Sequence, residues 1–290
     1  MDNILVRSIK LVLLAGCLGN AGISESEEVT GLLGIYPFAD HGSMHFRTQP
    51  LVDFLRQRHV SLQLDVSNTY DELLQRALRQ EYVALQVPVH FGLYLQRCCG
   101  YHIVGGWRDP ISAFWLELDV AVPPPQSNHP VPLAVASPLS LVSMAITGGC
   151  ASQTTIDGRL HTLVSSGTHE RALQALLRGK VAGAIVSTTA LRTLQPELRK
   201  RLRIKKEIAG LRGDVFLVRT ASRAVPGWQV ALEREFPASR EASEMQDRWH
   251  RPQGVATVAD LLLQPAELYA AQLGSCLRGI AALNPATTHP

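Results

Sequence analysis

Short apolar runs alternate with amphipathic helical stretches along this chain, stop at a proline-rich segment, and begin again in the same order. Leu32 to Tyr36 reads as a buried strand, and Pro50 reads as the opening of a helix that turns Leu51, Phe54 and Leu55 inward. Leu62, Leu64 and Val66 alternate as a second strand, and Val83 to Val87 forms a third. Between them, Thr69-Tyr70-Asp71-Glu72 has the pattern of a capping box, and the helix behind it gathers Leu73, Leu74, Ala77 and Leu78 on one face. Pro123-Pro124-Pro125 then breaks the pattern, with Asn128, Pro130 and Pro132 close behind. After the break come a strand at 132–136, a helix at 140–147, a strand at 160–165, a helix at 169–178 and a strand at 182–187. Strands alternating with helices build mostly parallel sheets covered by helices, so the expected fold class is α/β. At 290 residues the chain is long enough for two such units.

The restart reaches individual residues. Aligning Thr69 to Val87 with Thr168 to Val186 matches Thr69/Thr168, Leu74/Leu173, Gln75/Gln174, Leu78/Leu177, Arg79/Arg178 and Val87/Val186, six of nineteen positions. Generic amphipathic helices share Leu and Arg, so the match supports equivalent halves without requiring a duplication. α/β halves collect their ligand outside the carboxyl ends of the strands, where helix N-termini offer unpaired N–H groups. Tyr70 and His169 hold the same first-turn position in the two halves, so each is expected to face a shared cleft from its own lobe.

The N-terminus reads as an export signal. Met1 to Lys10 carries Arg7 and Lys10, and the apolar run Leu11 to Leu18 that follows is too short to span a bilayer. Leu14-Ala15-Gly16-Cys17 has the form of a bacterial lipobox, which makes Cys17 the candidate lipidation site; cleavage after Ala21 and a buried first helix are the alternatives. Residues 1–23 are assigned to this signal, and Ser24 to Thr30 form a polar linker.

Four cysteines remain, Cys98, Cys99, Cys150 and Cys276, with no CxxC pair and no histidine at zinc-ligand spacing, so no metal site or other cofactor is expected. In an oxidising compartment one of the adjacent pair can bridge to Cys150 or Cys276, while buried free thiols are the other reading. Basic residues cluster at Arg199-Lys200-Arg201 with Arg203, Lys205 and Lys206, but no aromatics are interleaved, and a formal net charge of +3 is modest. Nucleic acid is therefore not an expected partner. The chain has no G-x-S-x-G, no H-E-x-x-H, no P-loop and no recognisable carboxylate pair, which argues against an enzyme.

Two stretches resemble a known family. Gly167 to Val181 (GTHERALQALLRGKV), with Gly34 to Phe38 (GIYPF) and Gln49 to Leu55 (QPLVDFL), is similar to the phosphate, phosphite and phosphonate substrate-binding proteins of ABC transporters, which have the type 2 periplasmic-binding-protein fold. The resemblance covers roughly Leu33 to Arg219. It implies a ligand site in which Tyr70 matches the tyrosine after the second strand, His169 the histidine, Ser140 the first hydroxyl of a Ser-Thr-Ser turn, and Asp214 the acid before the return strand. Gln86 stands where the family has a tyrosine, Leu141 and Val142 where it has two further hydroxyls, and Ala182 where it has an acid. Each missing hydrogen bond to a charged oxygen forgoes about 1.5 to 3 kcal/mol, so a less polar or larger anion is expected than phosphonate itself. Asp214 repels such an anion unless the ligand carries a donor group, and His169 is expected to gain charge below about pH 6.5 and strengthen binding there.

On this reading lobe one comprises 31–117 plus 215–290 and lobe two 118–214. Crossings at Ala113 to Val122 and Asp214 to Arg219 serve as the hinge, and Trp228, Leu232, Phe236 and a helix over Leu261 to Leu273 finish lobe one. The expected function is capture of a small anion outside the cytoplasm, in the periplasm or cell envelope, for the permease subunits of an ABC importer, with the membrane touched only through the lipid anchor. An orphan ligand-binding receptor that signals to or scaffolds an envelope membrane protein is the alternative. An enzyme on the same fold, using His169 with Asp214 or a cysteine nucleophile, is the least supported.

Overall fold

The computed structural model describes residues 29–119, 129–220, 225–261 and 263–283. The signal segment, Cys17 and the Pro123-Pro124-Pro125 break lie outside the described residues. The chain opens with β1 (Val29–Ile35), α1 (His41–Arg56), β2 (Val60–Val66), α2 (Tyr70–Leu78), β3 (Ala84–Pro88), α3 (Val89–Cys98) and β4 (Tyr101–Trp107). It continues with β5 (Pro110–Leu118), β6 (Val131–Val135), α4 (Leu141–Thr147), β7 (Gln153–Ile156), β8 (Arg159–Ser165), α5 (His169–Leu177), β9 (Gly183–Ser187), α6 (Thr188–Thr193), α7 (Pro196–Arg199) and β10 (Leu202–Arg212). Then follow β11 (Asp214–Arg219), α8 (Val225–Val230), α9 (Arg240–Trp249), β12 (Val255–Ala256) and α10 (Gln264–Leu283).

The strands form two six-stranded mixed sheets, in the orders β12-β4-β11-β3-β1-β2 and β10-β5-β9-β6-β8-β7. At the centre of the first, β1 lies parallel between β2 and β3; at the centre of the second, β6 lies parallel between β8 and β9. The two halves therefore share one topology, and the offset of 99 residues read in the sequence carries α2 onto α5 and β3 onto β9 end for end. Local chemistry sets those boundaries. Thr69 and Thr168, both extended, accept from the N–H groups of Glu72 and Arg171 at 3.0 and 3.1 Å. Each cap satisfies a donor that the helix start would otherwise leave unpaired. Glu72 reaches back to the N–H of Asn68, one residue before the cap, rather than to that of Thr69 as in the usual capping box.

Three expectations are corrected. The first helix does not open at Pro50. It begins at His41, capped by Asp40, and carries Pro50 inside it as a buried residue. The missing proline N–H and ring clash are tolerated in exchange for the apolar face of Met44, Leu51, Phe54 and Leu55. The first crossing lies at Arg108 and Asp109 rather than in Ala113 to Val122, because β5 pairs with β9 and β10 in the second sheet. Trp115 explains this choice: its ring packs beside His161 at 5.4 Å, and its Nε1 would lie 2.8 Å from a Cβ at Gly183, so it belongs to the core of the second lobe. The return crossing is the single residue Gly213, between β10 and β11, which makes Asp214 the first residue back in the first sheet.

The C-terminal part covers the first sheet. Ala242, Met245 and Trp249 line the buried face of α9, which packs on α1, and α10 lies along α3. Gly274 lets that contact close, since a Cβ there would stand 3.2 Å from the Tyr94 ring. Among the described residues two disulfides are present, and neither joins Cys98 or Cys99 to Cys150 or Cys276 as the sequence allowed. Cys98 bonds its neighbour Cys99, and Cys150, in the turn after α4 of the second lobe, bonds Cys276 of α10 with Cα atoms 6.3 Å apart. Among the described residues no helix is long and apolar enough to cross a membrane.

Candidate cleft between the lobes

The strand ends and helix starts of the two lobes meet over one cleft. Tyr70, Ser140, His169 and Asp214 all line it, although they come from α2, the cap of α4, α5 and β11. Tyr70 and His169, equivalent in the repeat, face each other across the lobes with the tyrosine hydroxyl 3.5 Å from imidazole Nε2. Both are almost wholly buried, at 1% and 3% exposure. Side chains of the two lobes touch across the cleft, Tyr70 with His169 and His90 with the Leu139 carbonyl, so the lobes stand closed.

Asp214 accepts a 2.8 Å hydrogen bond from the Tyr36 hydroxyl at the end of β1. Burial raises its carboxyl pKa, and the nearby Arg251 guanidinium and the Tyr36 bond oppose that rise. Tyr36 is raised well above its ordinary value by burial and by the Asp214 charge, so it stays a donor.

Gln86 does not line the cleft. It lies in β3 with no exposed surface, near enough to ease ionisation of Asp214, but with neither amide atom in bonding geometry with a partner. Ser140 lines the cleft, but its hydroxyl is occupied: it accepts from the Ser143 N–H at 3.3 Å and donates to Ser143 Oγ at 2.7 Å. A residue read as a ligand hydroxyl is thus a helix cap, while Leu141 and Val142 present apolar surface beside it.

His169 departs from expectation in its charge. Burial lowers its pKa to about 4, so the imidazole is neutral throughout the physiological range instead of charging below pH 6.5. Its position at a helix N-terminus disfavours the cation further.

Four residues were not anticipated from the sequence. Arg251, only 4% exposed, lines the cleft with its guanidinium 5.9 Å from the Trp107 ring centre and Nε without a partner. His250, left-handed at φ 53°, ends α9 and turns the chain so that Arg251 comes back over the cleft. Arg212, at the end of β10, also lines the cleft and also has an unpartnered Nε. His90 at the start of α3 spans the lobes, with Nε2 donating to the Leu139 carbonyl at 2.9 Å. Burial holds it neutral too, with a pKa lowered to about 4. Among the described residues no three His, Cys, Asp or Glu side chains gather as a metal site.

No family model and no curated protein sequence matches the chain. Solved structures do. PhnD1 from Prochlorococcus marinus, in complex with methylphosphonate, is similar at TM-score 0.65 and 10% identity over 86% of this chain and 99% of that one. XAC2383 from Xanthomonas citri, bound to chloride, is similar at TM-score 0.62 and 14% identity over 85% and 99%. The binding protein component of an ABC phosphonate transporter from Pseudomonas aeruginosa is similar at TM-score 0.60 and 14% identity over 89% and 98%. The chain therefore has the two-lobed α/β fold of the type 2 periplasmic binding proteins, with phosphonate-transporter binding proteins among its structural neighbours.

Proposed function

We propose that this protein is a non-catalytic, extracytoplasmic solute-binding protein that closes on a small anion and presents it to the permease of an ABC importer. The observation that carries this reading is the meeting of Tyr70, His169 and Asp214 with Arg212 and Arg251 in one closed cleft between lobes joined at 108–109 and at Gly213. Buried guanidinium donors facing a cleft favour an anionic guest, and short crossings between two lobes allow hinge opening and closing. The lobe division follows at 108–109 and Gly213, and Tyr70, His169 and Asp214 are assigned to ligand contact, with Gln86 behind them.

The reading extends to a lipid tether at Cys17, supported by the Leu14-Ala15-Gly16-Cys17 pattern after an apolar run. Cys17→Ser releases the protein from membranes or blocks its processing; equal fractionation of variant and wild type, with no lipid label in either, contradicts the tether.

Binding is tested by a thermal-shift panel of phosphate, phosphite, alkylphosphonates, sulfonates and small carboxylates. A ligand at one hundred times its dissociation constant adds about 2.7 kcal/mol. At least one anion raises the melting temperature of wild type and does so less for His169→Ala. A panel in which no anion shifts the melt contradicts the proposal.

A further inference from the structure

We infer that Arg251 sets the specificity of this cleft and that the ligand class is a short aliphatic monocarboxylate rather than a phosphonate. The inference rests on the anion-binding reading above and narrows it. Its first ground is charge. Among the described residues the charged side chains lining the cleft are Arg212, Asp214 and Arg251, and the histidine there, His169, is held neutral by burial. Two positive groups against one carboxylate leave one positive charge to match. A carboxylate carries a single negative charge at neutral pH and matches it, whereas a phosphonate, whose second proton leaves near neutrality, carries more than one on average.

The second ground is the supply of donors. A tetrahedral head group of three oxygens needs many donors, but the Ser140 hydroxyl is taken up by Ser143 and Leu141 and Val142 add none, which leaves the hydroxyls of Tyr70, Ser187 and Thr189 on the lining. A guanidinium fork, by contrast, matches the two oxygens of a carboxylate in a plane. Arg251 is the candidate for that fork, being a cleft-lining guanidinium that is buried against Trp107 and keeps an unpartnered Nε. Leaving a buried donor without a partner is costly, so a site that keeps one gains by offering it to a guest.

The third ground is the wall. Leu141, Val142 and Ile111 line the cleft, with Phe38 packed against the His169 ring at 5.7 Å. An aliphatic tail of a few carbons finds apolar contact there, and a fully polar anion does not.

Isothermal titration of the purified protein with propionate and with methylphosphonate tests this. Wild type is expected to bind propionate at least tenfold more tightly than methylphosphonate. Arg251→Lys, which keeps the charge but loses the fork, is expected to weaken propionate tenfold or more. A melting curve of the variant establishes that it is folded; if Arg251→Lys is not, the ranking of the two anions on wild type decides by itself. Tighter binding of methylphosphonate, or unchanged propionate binding by folded Arg251→Lys, overturns the inference while leaving the anion-binding reading in place. Wild type that binds neither propionate nor any anion of the panel overturns both.

Discussion

Removing the bridge between Cys150 and Cys276 reports on the architecture as a whole. These residues are 126 apart in sequence, and the bond fastens a turn of the second lobe to the helix that lies along α3 of the first. A cross-link of that span takes loop-closure entropy from the unfolded chain. The chain-entropy relation gives about 5 kcal/mol for a loop of this length, and measured bridges typically deliver about 2 to 4 kcal/mol. The Cys98–Cys99 bond joins neighbours and closes almost no loop, so the same relation gives it only about 1 kcal/mol. Two double variants, Cys150→Ser with Cys276→Ser and Cys98→Ser with Cys99→Ser, can be unfolded in urea and followed by tryptophan fluorescence. The first is expected to lose several kcal/mol, with a steeper denaturant dependence because its unfolded state is freer, and the second much less. A first variant as stable as wild type, or free thiols at Cys150 and Cys276 in the unreduced unfolded protein, refutes the bridge and the placement of α10 that depends on it.

Other outcomes follow from the same packing. His90 and His169 have folded pKa values of about 4 against about 6.5 when unfolded, so their contribution is complete above pH 6.5 and is lost as the pH falls to 4, by about 3 kcal/mol each. The raised pKa of Asp214 acts in the opposite sense, since protonation relieves its burial, and offsets part of that loss. Urea midpoints between pH 7 and 4.5 should fall more steeply for wild type than for His169→Gln; parallel curves contradict the buried neutral imidazole. Gly106→Ala would set a Cβ 2.7 Å from the Asp214 carbonyl, so it should cost about 1 to 3 kcal/mol in thermal unfolding and weaken ligand binding as well. An unaltered melting curve contradicts that contact. Thr69→Ala and Thr168→Ala remove equivalent caps and should each cost about 1 kcal/mol in urea unfolding. A large effect at one and none at the other contradicts the equivalence of the halves.

Much of this fold is legible in the sequence because it is written in local chemistry. Thr69 and Thr168 mark helix starts that hold residue for residue, and the alternation of β2 is the burial pattern of Val60 to Val66 itself. What is not legible depends on the closing of the chain. Nothing local assigns β5 to the second sheet; Trp115 does so by finding His161 and the space at Gly183. Pro50 reads as a helix start because prolines favour that position, yet Asp40 offers a cap ten residues earlier and the apolar face outweighs the lost hydrogen bond. Of the side chains that line the cleft, Tyr70 and His169 are singled out by the repeat and Asp214 by the resemblance. Ser140 lines the cleft with its hydroxyl engaged as a helix cap, and Gln86 lies behind it. Arg251 gives no signal in sequence, since it comes from a turn after α9 and reaches the cleft only through the left-handed His250.

The central claim is that an anion is held between the lobes and touches both. Hydrogen exchange with and without the anion that most stabilises the protein measures this most directly. The account predicts slower exchange, on the same addition of ligand, in the segments around Tyr70, His169 and Asp214, with the outer faces of α1 and α10 unchanged. Protection confined to one lobe, or found only outside these segments, would contradict it.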